Sequence, residues 1–578
     1  MTNKNLNEEI SSKKYYQSVE KARQELQSRV QNLLNEIEAM QSMRTDTLIR
    51  CNILNKLLRP NISSTKEDKL ADVYESSNLA SSAHKTICYL NFLGNSSDTS
   101  WLSLCANNLD RIFSVNSAQF RAITDWVQAC EKALKTVFEQ SDSNFYTNVF
   151  SNWADWFIQG VSCLKVDIKL NGLKDYGRNT IYFSNINIKS TTIETNDTGD
   201  ITKVAYNFSL SLEEAIRKNK FELKDLCTSD GEYERLRKVL TEDGSDSEQY
   251  KRQRYDFVDL TIIRPKFANW ATNFFLNKPY IRMIICKTTR KVIYVSEEDT
   301  FPFIVSRLFP SVENPYGVSS LWSAVKGLLF EANLHEAKEK SISYHINPVM
   351  MVSPGYSADI LSKHGRALPP GDLIETLDSN GRPMMVPMQF GGDLRLIDLA
   401  YQQTYAELQE ALMANDIFPR NASGVSATES LRIAMQWNRR ILPLIESRKQ
   451  DFLSPLCLRV LYLLKDMNML PQFPVELPIE IDPIKFIGLE FGGQLRNMSQ
   501  TQSILDIDNW ISMMAKLGYT SALNIDVIAR TLTNKFNMPV DFLKSVEQLQ
   551  AEQNARALQA EEEQSEEYVS NILKNKKV

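Results

Sequence analysis

The stretch that decides the fold is Pro302-Phe303-Ile304-Val305-Ser306-Arg307, which leads to Asn314-Pro315-Tyr316-Gly317-Val318-Ser319. A helical pattern follows over residues 319–344, and Pro348 ends it because proline cannot continue a helix. Residues 346–393 contain two strand patterns and several turn signals, and a second helical pattern covers residues 394–415. This order predicts a helical hairpin that carries a small β-containing head.

The chain on either side of this hairpin predicts a predominantly helical α+β protein. Residues 12–58 have apolar side chains every three or four positions, which predicts one long helix packed on a core, with a free coiled coil as the alternative. Helical patterns continue to about residue 160 and return after residue 499. Strands are predicted at 161–170, 180–188, 191–195, 201–208, 256–263, 280–287 and 291–295.

Composition and absent motifs argue against an enzyme. The 578 residues include 66 basic and 71 acidic ones, so the net charge of −5 disfavours a protein that grips DNA over a broad face. No glycine is followed directly by lysine, so a phosphate-binding P-loop is missing, and His335-Glu336 lacks the second histidine of a zinc helix. The eight cysteines form no C-x-x-C pair. We therefore expect no catalytic residue, no cofactor and no metal.

Hydropathy and thiol content bear on the location of the protein. The first residues, Met1 to Lys14, are polar and predict no signal peptide, and no apolar stretch approaches the roughly 18 residues that a membrane helix requires. Isolated cysteines are typical of a reducing cytosol. The sequence thus predicts a protein without a membrane partner.

Several short motifs occur in a fixed order between residues 191 and 466. They are Thr198-Gly199-Asp200-Ile201, Ser211-Leu212-Glu213-Glu214, Pro302-Phe303 with Arg307, Tyr316-Gly317 with Ser319, and Ser426-Ala427-Thr428-Glu429 with Arg432. In order and spacing they resemble the portal, or head-to-tail connector, proteins of short-tailed bacteriophages. Leu308 and Val318 depart from the residues that are common in that family.

The resemblance implies a ring of twelve copies around a central channel for DNA. Its parts would be the wing (residues 1–318 and 429–490), the stem helices (319–345 and 394–416), the clip (346–393), the channel loop (417–428) and the crown (491–578). The ring would occupy one capsid vertex and serve genome packaging and ejection. The alternative is a non-enzymatic helical scaffold or adaptor of a different assembly.

The resemblance also implies partners and a location. The ring would pass double-stranded DNA without sequence specificity and contact the major capsid protein, the scaffolding protein, the large terminase subunit, and the adaptor and tail proteins. It would be part of the virion and, during assembly, of the bacterial cytoplasm.

Specific residues follow from these assignments. The channel loop would meet DNA through Phe418, Arg420, Asn421, Gly424 and Thr428. The alternative is an ordinary turn between helices that packs on its own subunit. The clip would contact motor and adaptor through Lys363, His364, Arg366 and Arg382. The subunit interface would contain Ala324, Leu328 and Ala332 of the first stem helix and Leu408 and Leu412 of the second.

Charge along the second stem helix offers an independent view of the channel. Residues 394–416 contain Arg395 against Asp398, Glu407, Glu410 and Asp416, a net charge of −3. Such a wall would repel phosphate and let DNA slide, because phosphate contacts increase affinity. The alternative is that these carboxylates only keep an exposed helix face hydrated. Residues 429–450 carry a net charge of +3, which suits loose guidance of DNA or pairing between subunits.

Overall fold

The computed structural model describes most of the chain up to residue 491. The described residues are 17–59, 78–95, 101–106, 118–169, 180–217, 221–227, 229–241, 253–265, 278–310, 314–346, 350–352, 385–387, 394–413, 441, 443–474, 482–491, 513 and 516. By its internal contacts the chain divides into two units, residues 1–96 with 104–491 and residues 97–103 with 492–578. All packing described below lies within the first unit.

Helices and strands are mixed, which confirms an α+β chain. The helices are α1 (Val30–Met43), α2 (Thr45–Leu58), α3 (Asn78–Asn95), α4 (Ala118–Glu139), α5 (Phe145–Gln159), α6 (Leu212–Arg217), α7 (Asp230–Thr241), α8 (Val325–Ile346), α9 (Leu394–Ala411) and α10 (Ser454–Asp466). The strands are β1 (Leu102–Ala106), β2 (Val161–Lys169), β3 (Thr180–Ile186), β4 (Thr191–Thr195), β5 (Ile201–Ser211), β6 (Arg254–Ile263), β7 (Tyr280–Cys286), β8 (Lys291–Glu298), β9 (Phe303–Arg307), β10 (Met350–Val352), β11 (Met385–Pro387) and β12 (Ile487–Phe491). The predicted strands from residue 161 to 298 are all present, with ends that differ by up to three residues.

The single helix predicted over residues 12–58 is wrong, since the described part consists of three helical segments, 17–27, α1 and α2. The second break falls at Arg44, whose guanidinium is buried and donates to the carbonyl oxygens of Ile188, at 3.2 Å, and Thr191. A buried guanidinium requires such partners, and periodicity does not reveal them. The predicted packing of this region on a core is confirmed.

A five-stranded antiparallel sheet in the order β4-β5-β6-β7-β8 forms the larger β layer. The apolar stripe of the first two helical segments, including Ala22, Leu26 and Val30, packs on one face of it. Residues 17–27 also cover part of the edge strand β8. Arg23 donates to the Val292 carbonyl at 2.9 Å, and the Gln27 side chain accepts from the Val292 N–H at 2.9 Å. These contacts pair backbone groups that an edge strand otherwise leaves open.

A buried ion network joins this sheet to a three-stranded antiparallel sheet of order β3-β2-β9. Arg282 donates to Asp259 at 2.8 and 2.9 Å and to Asp167 at 2.8 Å, and Lys165 lies 2.7 Å from Asp259. Burial alone would raise the pKa of Asp259, but the charges of Arg282 and Lys165 outweigh burial and lower that pKa. Two cations and two anions thus balance each other between the sheets.

Helix α5 lies against the three-stranded sheet and ends at Gly160, whose φ of 82° is the left-handed conformation that favours glycine. The decisive stretch packs on this end. The Ser319 hydroxyl donates to the Phe157 carbonyl at 3.0 Å, and the Tyr316 hydroxyl accepts from the Ile193 N–H at 3.0 Å. A Cβ on Gly317 would lie only 2.5 Å from the Gly160 oxygen. The Tyr-Gly-x-Ser motif therefore permits a close contact between two backbone segments.

Gly160→Ala should destabilise the chain far more than Gly199→Ala. Both glycines have a φ near 85°, but an added Cβ at Gly160 would collide with the backbone of Val318 and Ser319, whereas nothing lies within 4 Å of one at Gly199. We expect a loss of about 1 kcal/mol for Gly199→Ala, from the backbone alone, and at least about 3 kcal/mol for Gly160→Ala. Denaturant unfolding measures both. Equal losses would show that the contact with residues 318–319 is unimportant.

Candidate functional site

Helices α8 and α9 form the predicted antiparallel hairpin, and we take this hairpin as the candidate functional site. Its head contains the antiparallel pair β10–β11, with Met351 opposite Val386. Ser319 accepts the Leu321 N–H at 3.2 Å and so caps the short 3₁₀ turn before α8. After α9, the Leu412 carbonyl accepts the Thr86 hydroxyl of α3 at 2.7 Å. Both ends of the hairpin are thus attached to the rest of the unit.

The seam between α8 and α9 is apolar near these attachments. Leu328, Leu408 and Leu412 are 3%, 3% and 1% exposed. A Cβ on Gly327 would lie 3.1 Å from Leu408, so the glycine lets the two helices approach closely. These three leucines, which the sequence assigns to a subunit interface, are already buried within the single chain. That they also contribute to a subunit interface stays a prediction.

Farther along the hairpin the seam becomes polar. Lys338 lies 2.6 Å from Asp398, and its ammonium group lies 5.5 Å from the ring centre of Tyr401. Glu331 is only 2% exposed and is hydrogen-bonded to Tyr401, while its Oε1 atom has no partner among the described residues. His335 packs edge-on against Tyr401.

The titration behaviour of this seam follows from its burial. Burial raises the pKa of Glu331, and the hydrogen bond from Tyr401 and the nearby His335 only partly oppose this effect. Burial, followed by the charge of Glu331, raises the pKa of Tyr401 to about 12. The folded hairpin therefore favours the neutral form of both groups.

The acidic residues predicted to line a channel have different surroundings. Asp398 forms its ion pair with Lys338, so part of its charge is neutralised within the hairpin. Glu407 and Glu410 are exposed on α9. The exposed negative charge of the described part of α9 thus lies toward its C-terminal end, and Asp416 falls outside the described residues. That this surface lines a channel stays a prediction.

Large apolar side chains are exposed on the outer sides of both helices. On α8, Leu329 is 38% and Phe330 51% exposed, and on α9, Leu396 is 67% and Leu399 57% exposed. We call these four residues the outer apolar strips. Leu329 and Phe330 are neighbours on α8, and Leu396 and Leu399 lie about one turn apart on α9. Grouped exposed apolar side chains commonly mark an interaction site. Ala324, also predicted as an interface residue, is half-buried.

The other predicted site residues cannot be compared with the structure. The channel-loop residues Phe418, Arg420, Asn421, Gly424 and Thr428, the clip residues Lys363, His364, Arg366 and Arg382, and the side chain of Ala332 lie outside the described residues. Within the described part, no three His, Cys, Asp or Glu side chains are grouped to hold a metal ion. In that same part, no helix combines the length and apolar character needed to cross a bilayer.

Sequence reasoning missed the polar part of the seam. Leu328, Glu331, His335 and Lys338 follow one another at helical spacing, so they share one face of α8. Three of these four are ionisable, which gives the same pattern as a solvated helix face. Only the position of Tyr401 and Asp398 on the facing helix shows that this polar stripe is packed.

Glu331→Gln should stabilise the chain at pH 8. The raised pKa of Glu331 means that the folded chain binds the proton more tightly than the unfolded chain, so stability falls as pH rises from the ordinary value of 4.5 through the raised one. A permanently neutral glutamine avoids that loss, so the variant should be more stable than wild type at pH 8. The gain should vanish below pH 4.5.

Unfolding curves of wild type and variant at pH 4 and pH 8 measure this difference. Glu407→Gln on the exposed side of α9 is the matched control and should change stability little at either pH. A gain for Glu331→Gln that is equal at both pH values would contradict the proton linkage.

Comparison with known proteins extends these observations. The model of one protein family, described as bacteriophage head to tail connecting protein, matches residues 95–543, which is more than three quarters of the chain. The match contains the whole hairpin, both sheets and the decisive stretch. No curated protein matches the chain at a significant level.

Proposed function

Because the chain belongs to the family of bacteriophage head to tail connecting proteins, a structural family of the phage virion, we propose that it is the portal of its virion. In this proposal twelve copies form a ring at one capsid vertex, and DNA enters and leaves through the centre. The family match supports a connection between head and tail. Beyond the family match, we propose that the chain forms a ring and serves genome packaging and ejection.

The observation that carries the proposal is the pair of outer apolar strips on the hairpin. Leu328 and Leu408 are buried within one chain, yet Phe330 of α8 and Leu399 of α9 remain half-exposed or more. In a closed ring each subunit contacts two neighbours through different surfaces. A hairpin with exposed apolar side chains on each helix suits this arrangement, because each helix would then contact a different neighbour.

The proposed parts of the ring follow the domain order expected from the sequence. The hairpin would be the stem, residues 346–393 the clip, and residues 417–428 the loop that narrows the channel. Glu407 and Glu410 would give the stem an acidic surface along which phosphates slide. The large terminase subunit would bind at the clip during packaging, and adaptor and tail proteins would bind later.

The remaining partners and the location are proposed on the same basis. The ring would contact major capsid and scaffolding proteins while the head assembles in the bacterial cytoplasm. A helical scaffold or adaptor that works without a ring is the alternative. Mass in solution and negative-stain images distinguish the two, because only a portal yields a closed ring with a central hole.

Phe330→Asp and Leu399→Asp should block the ring but leave the subunit folded. Both side chains are exposed in the single chain, so a carboxylate there remains hydrated until a neighbour covers it, when it costs several kcal/mol per contact. Light scattering should show that both variants are monomers. Their thermal unfolding midpoint should match that of wild type. Met43→Asp, at a position 82% exposed and distant from the hairpin in sequence, is the control and should assemble normally.

Leu328→Asp separates the two kinds of packing face. Leu328 is 3% exposed within one chain, so this variant should lower the stability of the subunit itself. If Phe330→Asp and Leu399→Asp formed rings as readily as wild type, the outer apolar strips would not be the subunit interface.

Arg420→Glu should leave ring assembly intact and reduce the DNA content of particles. An arginine in the channel loop would meet phosphate, and the reversed charge would repel it. The DNA-to-protein ratio of purified particles measures the effect, and Arg254→Glu, at an exposed position of β6, is the control. Normal DNA content in Arg420→Glu particles would contradict a role of this loop in packaging or retention.

The purified ring should hydrolyse neither ATP nor DNA.

A further inference from the structure

Arg448 lies in an aromatic box at the centre of the described core. It is 0% exposed, and its guanidinium carbon lies 4.3 Å from the ring centre of Trp153, 4.9 Å from that of Trp156 and 4.2 Å from that of Phe452. It donates hydrogen bonds to the side-chain oxygens of Asn152 and Ser162. Arg448 belongs to the helical segment 443–453, whereas three of its partners belong to α5.

Among the described residues Arg448 has no carboxylate partner within 4 Å, and its Nε atom has no acceptor. Asp451 and Asp155 act on its charge only from beyond that distance, and burial outweighs them and lowers the pKa of Arg448. Two other buried arginines have carboxylate partners. Arg282 is paired with Asp259 and Asp167, and Arg459 with Glu298 at 2.8 Å. Burial of an unpaired charge is costly, and the aromatic faces return only part of that cost. Arg448 is therefore poorly explained as a stabilising residue.

The polar side chains around Arg448 remain hydrogen-bonded to one another without it. The Ser162 hydroxyl donates to the Asn152 oxygen at 2.9 Å, and the Asn152 amide donates to the Asn185 oxygen at 2.9 Å. An apolar side chain of similar length would keep the contacts with the rings and leave neither of these groups unpaired. Replacing buried ionic groups in this way is often neutral or stabilising.

The guanidinium can fix the orientation of segment 443–453 on α5, whereas an apolar side chain cannot. A flat group between aromatic faces, with two hydrogen bonds in its plane, is compatible with one rotation and one height of segment 443–453 on α5. Ser319 is bound to the same helix, through the Phe157 carbonyl. Residues 320–447 thus begin and end at two anchors on α5, and Arg448 is the anchor at the returning end.

We propose that Arg448 is a positioning residue, which fixes the orientation of segment 443–453 on α5 and thereby the returning end of the stem and channel loop. The proposal rests on the portal function for its consequence in the particle. The orientation of the segment itself is a property of the single chain.

The test compares Arg448→Met and Arg448→Lys with wild type in the full chain. Spin labels at Ser151→Cys and Glu446→Cys, two exposed positions on α5 and on the segment, report their separation. In all labelled chains the exposed Cys88 and the half-buried Cys105 are replaced, so that the spin label reacts at the introduced cysteines. Thermal unfolding of the same variants and the DNA content of particles that contain them complete the set.

For Arg448→Met we expect an unfolding midpoint within about 3 °C of wild type. The distance distribution should be at least twice as wide, and the DNA content should fall to less than half. Arg448→Lys keeps a charge but not the flat fork, and it should show the same broadening. A narrow, wild-type distribution in Arg448→Met would overturn the proposal, as would rescue by lysine. A large loss of stability in Arg448→Met would overturn it too, because it would make Arg448 a stabilising residue.

A failure of the proposed portal function would show in different measurements from a failure of the role proposed for Arg448. Wild-type chains would then form no ring or their particles would hold no DNA, whereas the distance distributions of the variants would still decide the role of Arg448.

Discussion

The close contact between the end of α5 and residues 317–319 is the constraint on which the rest of the structure depends. Two backbone segments can approach this closely only because Gly160 and Gly317 lack a Cβ. The contact fixes where the chain leaves the three-stranded sheet and enters the hairpin, and Ser319 then starts the turn that leads into α8. A functional hairpin 22 residues long on one side requires a rigid base, since a small rotation at the base becomes a large displacement at its head.

The base is surrounded by buried charges that are treated in two different ways. Between the sheets, Arg282 and Lys165 are matched by Asp259 and Asp167, so the cost of burial is offset by ion pairs in a fixed geometry. Arg448, packed on α5, contacts aromatic faces and neutral oxygen atoms, and the carboxylates of Asp451 and Asp155 act on it only from beyond ion-pair distance. The first arrangement joins two layers firmly, whereas the second gives direction at little or no gain in stability. Both lie within the unit that also holds the hairpin.

The hairpin itself separates two tasks. Its inner seam lies within one chain, with leucines near the base and the Glu331, Tyr401, Lys338 and Asp398 contacts farther out. Its outer sides carry the apolar strips that a monomer has no use for. In the proposed ring this division has an advantage, because changes on the exposed outer sides would leave the fold of the subunit intact.

The sequence by itself determined the kinds of element, their order and the family. Period-two patterns gave the strands from residue 161 to 298, and period-three-to-four patterns with Pro348 gave the hairpin, because these signals depend only on neighbouring residues. Tertiary structure decided the break at Arg44, the unpaired burial of Arg448 and the identity of the chain that covers Leu328. Each depends on groups 80 or more residues away, such as the Ile188 carbonyl for Arg44, the Asn152 side chain for Arg448 and, beside Leu328, the Leu408 side chain that approaches Gly327. A periodic stripe shows that a face will be buried, but only the folded chain shows what buries it.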